Sequence, residues 1–290
     1  MALLFDGKTF AKERETLLKE QIEQLTHQGK KLRVKTIVFL EDEGSILYTR
    51  LKKAAAERLG ISYEPIEHHM TDPVEDLIDE IHSASHDKEI TGVMIQKPTK
   101  AVYEAVCGAD APAFDVWWNN LTLAIDPDKD VDCLTRANLE RIMTGDPYVL
   151  PATVKACISV LDEAKRVLQV SDQRWREKSA VVIGRSDIVG KPLAAILASQ
   201  FAHVENVGKS DMPETLTKFD VIVSAVGKPN LVTGNMIQEN AILLDVGAPK
   251  GDMERESVEP KVAFLTPVPG GIGPMTVVSL MENVVELGRN

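Results

Sequence analysis

At 290 residues the chain is long enough for about two domains of ordinary size. A net charge of −11 and a pI of about 5.1 disfavour non-specific binding to nucleic acid or to an anionic membrane. With 44% hydrophobic and 27% charged residues, the composition is that of an ordinary soluble globular protein. Cys107, Cys133 and Cys157 are odd in number and none forms a C-x-x-C pair, so neither a disulfide framework nor a zinc ribbon is expected. A reducing, cytoplasmic compartment is the default. The start, Met1-Ala-Leu-Leu-Phe-Asp-Gly7, lacks the layout of a signal peptide, and no apolar run reaches the ~18 residues of a membrane span.

Residues 8–28 have the spacing of an amphipathic helix. Val34–Leu40 reads as a buried strand and Ile46–Leu59 as the helix after it. On that helix Tyr48 and Lys52 are four apart and share a face. A ring and an amine at the mouth of a strand–helix unit can stack a flat ligand and handle a proton. Taken alone, the pair reads more readily as a half-core tyrosine and a solvated lysine, since an i,i+4 pair is a common helix feature. Ile61–Ile66 is a weaker strand candidate, and Asp72-Pro73 opens a helix over Val74–Ser85. His68, His69, His82 and His86 lack an H-E-x-x-H pattern, so no metal site is expected.

Ile90–Ile95 is a second buried strand ending at Gln96-Lys-Pro98. Gln96 therefore falls beyond a carboxyl strand end, where open α/β sheets bind ligands. Residues 99–126 show no clean period despite Trp117 and Trp118. Asp126-Pro-Asp-Lys-Asp-Val-Asp132 carries five charges in seven residues, the look of a solvated turn. A short helix is expected over Arg136–Met143 and a long one over Thr153–Leu168.

From residue 179 onward strands alternate with helices, which argues for a parallel sheet. Ser179–Ile183 is followed by a loop, Gly184–Gly190, and by a helix with Pro192 in its first turn. Strand, glycine loop and helix is the arrangement that presents backbone N–H groups to a phosphate. The spacing is not G-x-G-x-x-G. Further strands are expected at Val204–Val207, Asp220–Val226 and Ala241–Val246, closed by Gly208, Gly227 and Gly247. Thr266–Pro274 is a constrained loop before a helical tail over Met275–Leu287.

These motifs together resemble the bifunctional methylenetetrahydrofolate dehydrogenase/methenyltetrahydrofolate cyclohydrolase family over nearly the whole chain. The resemblance rests on Tyr48-x-x-x-Lys52, Gly92-Val-Met-Ile-Gln96-Lys-Pro98 and Pro127-Asp-Lys-Asp-Val-Asp132. It continues through Gly184-Arg-Ser-Asp-Ile-Val-Gly-Lys-Pro192, Ala225-Val-Gly-Lys-Pro229, Asp245-Val-Gly247 and Thr266-Pro-Val-Pro-Gly-Gly-Ile-Gly-Pro-Met-Thr276. It implies a two-domain α/β fold. Residues 1–150, joined by the C-terminal helix 275–290, would form the folate-binding catalytic domain. Residues 151–274 would form a Rossmann-like parallel-sheet domain for NADP, with NAD as the alternative, across a cleft.

The implied activity is oxidation of 5,10-methylenetetrahydrofolate, then hydrolysis of the methenyl product to 10-formyltetrahydrofolate. The resemblance assigns catalytic roles to Lys52, Tyr48, Gln96 and Asp132, with Asp130 the nearest competitor of Asp132. Tyr48, Gln96, Asp132, Pro269, Gly270, Gly271 and Pro274 would bind the folate. Gly184, Arg185, Ser186, Ile188, Gly190, Lys209, Gly227, Gly247 and Ala248 would bind the cofactor, with Arg185 facing a 2′-phosphate. A homodimer is implied; no metal, nucleic acid or membrane is. The chain departs from the family pattern at Cys133, where glycine is usual, and at Pro151–Ala156, Val207–Lys209 and Gly247–Pro249. The stretch between Gln96 and Asp132 is also longer than usual. The alternatives are a monofunctional dehydrogenase, a catalytically silent folate- or dinucleotide-binding protein, and another Rossmann dehydrogenase.

Overall fold

The computed structural model describes residues 2–289. In chain order it begins with β1 (Leu3–Leu4), α1 (Gly7–His27), β2 (Arg33–Phe39), α2 (Glu43–Leu59), β3 (Ser62–His68), α3 (Val74–His86) and β4 (Gly92–Ile95). Helices α4 (Lys100–Cys107), α5 (Phe114–Leu123), α6 (Arg136–Met143), α7 (Ala152–Val167) and α8 (Asp172–Arg176) follow. The remainder is β5 (Ser179–Ile183), α9 (Gly190–Leu197), β6 (His203–Val207), β7 (Val221–Ser224), β8 (Ile242–Asp245), α10 (Arg255–Val258), β9 (Phe264–Leu265) and α11 (Ile272–Arg289).

The chain forms two compact α/β units. One comprises residues 2–13, Arg141–Pro147 and Pro151–Ser279; the other comprises Arg14–Glu140, Tyr148–Leu150 and 280–289. Residues 2–13 and Arg141–Pro147 thus group differently from the expected 1–150 assignment. For the N-terminal residues the reason is β1, which pairs in parallel with β9 through Leu3↔Phe264 and Leu4↔Leu265. Met1 and Asn290, at the ends of the expected ranges, lie outside the described residues. Among the described residues no helix is long and apolar enough to cross a membrane.

The larger sheet has six parallel strands in the order β1-β9-β8-β7-β5-β6. Strands β7 and β8 are buried throughout and β5 nearly so, as expected of a parallel sheet covered on both faces. Ile183, Phe219, Ile222, Leu243 and Leu265 are among the apolar side chains that pack its core.

In the other unit β3-β2-β4 form a three-stranded parallel sheet. Asp42 caps α2 by accepting the Ser45 N–H at 2.9 Å, and Gly60 ends the helix at φ 77. Residues 99–126 are not featureless: α4 and α5 pack Tyr103, Phe114 and Trp117 together edge-on or tilted, and the Trp117 and Phe39 ring centroids are 4.9 Å apart. The aromatic cluster, not a clean helical period, holds this segment against the end of β2.

The acidic stretch at 126–132 is also not a solvated turn. It opens as a 3₁₀ turn at Pro127–Lys129, and then Asp130 and Val131 run parallel beside β4. The Val131 N–H donates to the Val93 carbonyl at 3.3 Å. Gly92 permits the approach, since a Cβ there would lie 2.0 Å from Val131 Cγ1. Asn283 of α11 ties the segment down by donating to the Val131 and Leu150 carbonyls, each at 2.8 Å.

Asp130 is fully buried and accepts the Leu134 and Thr135 N–H groups at 2.9 and 2.8 Å and the Asn138 amide at 3.1 Å. Its carboxylate is spent on the turn that carries Cys133 at φ 53, the left-handed region where glycine costs least. Asp130→Ala should destabilise the protein by about 2–4 kcal/mol, because it strands buried backbone donors. Denaturant unfolding checks this, with a loss under about 0.5 kcal/mol counting against it.

Candidate active site

Three side chains from the sequence reading come together in the three-stranded unit, with a fourth one helical turn away. Lys52 is 4% exposed on the buried face of α2. Its Nζ donates to Gln96 Oε1 at 2.8 Å and lies 4.0 Å from Asp132 Oδ2. Gln96 follows β4, held there by its N–H on the Ile37 carbonyl at 2.8 Å. Asp132 arrives on the strip that runs beside β4. Tyr48 is half-buried on α2, one turn before Lys52.

Burial pushes the Lys52 amine below the ordinary lysine range, and Asp132 opposes that shift without reversing it. Gln96 accepts a hydrogen bond from the amine and brings no charge. A carboxylate at the same distance would hold the proton on. The arrangement is a buried amine aimed by an amide and biased by one carboxylate at longer range.

Two neighbours escaped the sequence reading. Met94 Sδ lies 3.8 Å from Lys52 Nζ, and the buried Tyr63 hydroxyl donates to the same sulfur at 3.7 Å. Burial raises the Tyr63 phenol well above its usual range, so it stays neutral. The signal for Met94 was available: it is two residues before Gln96 on a strand and shares its face. Asp42 was also missed. Besides capping α2 it accepts the Thr99 N–H at 2.7 Å, and Ser45 Oγ donates to the Lys97 carbonyl at 3.3 Å. Both fasten the Gln96 loop to the start of the lysine helix. Lys97 Nζ stands 5.0 Å over the Trp118 ring.

The six-stranded unit holds the residues assigned to the cofactor. Gly184 follows β5 at φ 123, with its missing Cβ 2.5 Å from the Ala225 carbonyl oxygen. At Gly190, where α9 begins, a Cβ would lie 2.0 Å from the Gly184 carbonyl oxygen. Side chains are thereby excluded where the loop, the helix start and the segment after β7 meet. Ser186 Oγ accepts the Gly190 N–H at 3.3 Å, Ile188 is half-buried, and Arg185 is exposed.

Arg185 Nε and Nη2 donate to the Asn206 carbonyl at 3.3 and 3.2 Å, and Nη2 also donates to Asp211. Lys209 is exposed just past β6. Gly227 at φ 77 and Gly247 follow β7 and β8, and Ala248 is exposed before a cis bond to Pro249. Buried Asp252 shapes this rim, accepting Ser224 Oγ and the Val226 and Lys228 N–H groups at 2.7–2.8 Å. A glycine loop at the carboxyl end of a parallel sheet, with Arg185 and Lys209 beside it, fits a phosphate-bearing dinucleotide.

The Pro-Gly segment belongs to this same unit. Pro269 is exposed after a cis bond, and Gly270 has φ 105 and accepts the Gly7 N–H at 2.9 Å. Gly271 is buried, with no room for a Cβ against the Pro267 carbonyl oxygen at 2.6 Å. The expected loop over Thr266–Pro274 ends early: α11 starts at Ile272, so Pro274 lies in its first turn, where no backbone N–H is needed.

Comparison with known families decides what this assembly is. The tetrahydrofolate dehydrogenase/cyclohydrolase catalytic domain matches residues 5–132, and the NAD(P)-binding domain of the same name matches residues 151–290. The chain belongs to the tetrahydrofolate dehydrogenase/cyclohydrolase family. It is 35% identical to the bifunctional protein FolD of Lactobacillus delbrueckii subsp. bulgaricus, over 100% of this chain and 98% of that one. It is 33% identical to FolD of Methanoculleus marisnigri, over 99% and 96%.

Among solved structures it is similar to the bifunctional FolD dehydrogenase/cyclohydrolase of Campylobacter jejuni, with TM-score 0.86, 28% identity and coverage of 100% and 99%. The Trypanosoma brucei dehydrogenase-cyclohydrolase, solved with NADP cofactor and inhibitor, matches with TM-score 0.86, 28% identity and coverage of 99% and 97%. The members' two-domain α/β architecture is the one described above.

Within this family site the amide at 96 makes a sharp prediction. Gln96→Glu should raise the Lys52 pKa and shift the acid limb of methenyl hydrolysis to higher pH, cutting the rate at neutral pH at least about tenfold. A pH–rate profile checks it; an unmoved limb contradicts it.

Proposed function

We infer that this chain oxidises 5,10-methylenetetrahydrofolate to 5,10-methenyltetrahydrofolate with NADP⁺ and hydrolyses the product to 10-formyltetrahydrofolate. The observation that carries this reading is the buried Lys52 amine hydrogen-bonded to the neutral Gln96 amide, in a chain that belongs to this family. NADP⁺ supplies the hydride acceptor. Gly184, Ser186, Ile188 and Gly190 would hold its phosphates, with Gly227, Gly247 and Ala248 along the rim. Arg185 and Lys209 would take the 2′-phosphate.

The protein's own part in the oxidation is positioning. Tyr48 stacks on the folate, and Asp132 accepts N–H bonds from the polar edge of the pterin. Pro269, Gly270, Gly271 and Pro274 complete the binding surface in this reading. In the second step the neutral Lys52 amine takes a proton from water as the water oxygen bonds to the methenyl carbon. The hydroxyl on that carbon then gives up its proton as the bond from the carbon to N5 breaks, N5 takes up a proton, and the formyl group stays on N10, with one proton released overall. Gln96 keeps the amine aimed, and burial lowers its pKa, which makes the proton easier to give up. The acidic balance of −11 disfavours nucleic acid and anionic membrane as partners, and the family resemblance supports a homodimeric cytoplasmic enzyme.

The test uses purified protein with methylenetetrahydrofolate and NADP⁺ or NAD⁺, following methenyl formation and its decay. Lys52→Met should slow methenyl hydrolysis by about 100-fold or more, the scale of a lost general acid–base group, and leave measurable dehydrogenase activity. Hydrolysis at the wild-type rate in a folded variant would overturn the assignment.

A further inference from the structure

Past β6 the structure pairs two groups that dinucleotide sites ordinarily use as alternatives. In such folds an acid after the second strand accepts from the ribose 2′-hydroxyl of NAD, or an arginine nearby takes the 2′-phosphate of NADP. This chain has both, and each occupies the other. Asp211 Oδ2 accepts from Arg185 Nη2, while Asp211 Oδ1 accepts the Gly208 N–H at 2.8 Å. The carboxylate thus bridges a guanidinium and a backbone amide, the donors an incoming phosphate would seek.

The arrangement is built rather than incidental. Arg185 is oriented by two hydrogen bonds to the Asn206 carbonyl, and Asn206 is fixed by its own amide on the Val182 and Gly184 carbonyls at 2.9 and 2.7 Å. Glycine at 208 lets the carboxylate lie against the backbone, since a Cβ there would come within 2.8 Å of Asp211 Oδ1.

We propose that Asp211 is an internal competitor for the 2′-phosphate, so that this enzyme discriminates weakly between NADP⁺ and NAD⁺ and uses both. The proposal rests on the dehydrogenase reading above. Binding NADP⁺ requires Arg185 to leave Asp211 and brings a phosphate beside a carboxylate. Binding NAD⁺ requires neither, and the Arg185–Asp211 pair can stay intact. The pair is roughly half exposed on both sides, and such pairs are weak, so the competition lowers NADP⁺ affinity without preventing binding.

Calorimetric dissociation constants for NADP⁺ and NAD⁺, measured on wild type, Asp211→Asn, Arg185→Gln and the double variant, test this directly. Asp211→Asn should tighten NADP⁺ about tenfold and leave NAD⁺ unchanged or weaker. In the Arg185→Gln background the same substitution should tighten NADP⁺ by less than in wild type, since only the carboxylate–phosphate repulsion is then left to remove. Thermal melts confirm that each variant is folded. An Asp211→Asn protein whose ratio of the two constants stays within about twofold of wild type overturns the proposal. Wild-type protein that binds neither dinucleotide overturns the dehydrogenase reading, and the proposal with it.

Discussion

The site depends on one costly placement: a lysine amine with almost no access to water, held by a neutral amide. A charged ammonium loses hydration in such a position, and what compensates it decides its protonation. A carboxylate at hydrogen-bond distance would keep the proton. Here the close partner is Gln96, and the carboxylate of Asp132 stands further off, so burial outweighs it and the amine is held below the ordinary lysine range. The surrounding structure serves that balance. Asp42 locks the start of α2 to the chain after Gln96, and Gly92 admits the strip that brings Asp132.

The six-stranded unit meets a different constraint, the close approach of backbone to backbone. Gly184 and Gly190 leave no space for a side chain, and their neighbours fill that space with carbonyl oxygens. Asp252 and Asp245 then organise the turns after β7 and β8 through buried acceptors, with Asp245 pushed above the usual carboxylate range by burial. Rigid loops at the carboxyl end of a parallel sheet are what a dinucleotide-binding domain requires.

Much of this was legible in the residues. The β2–α2 unit, the strand ending at Gln96 and the glycine loop after β5 follow from apolar runs and punctuating glycines, which are local signals. β1 and β9 were not legible, because two-residue strands carry no period and their pairing joins positions 3 and 264. The helices within 99–126 were hidden because an aromatic cluster, formed in three dimensions, holds them. The charges at 126–132 misled for a physical reason: a buried carboxylate that satisfies backbone N–H groups looks in sequence like one exposed to water. Asp130 and Asp132 differ only in where the strip beside β4 directs them. The family resemblance favours the second for the substrate, and the burial of the first supplies the reason.

The account stands or falls on the protonation of one nitrogen. Selective ¹⁵N labelling of lysine, with the Lys52 side-chain resonance assigned by its loss in Lys52→Met, allows that amine to be titrated directly by NMR. The account predicts a midpoint clearly below the ordinary lysine value of 10.5, set by burial. A midpoint at or above that value would show that Asp132 outweighs burial and would contradict the mechanism.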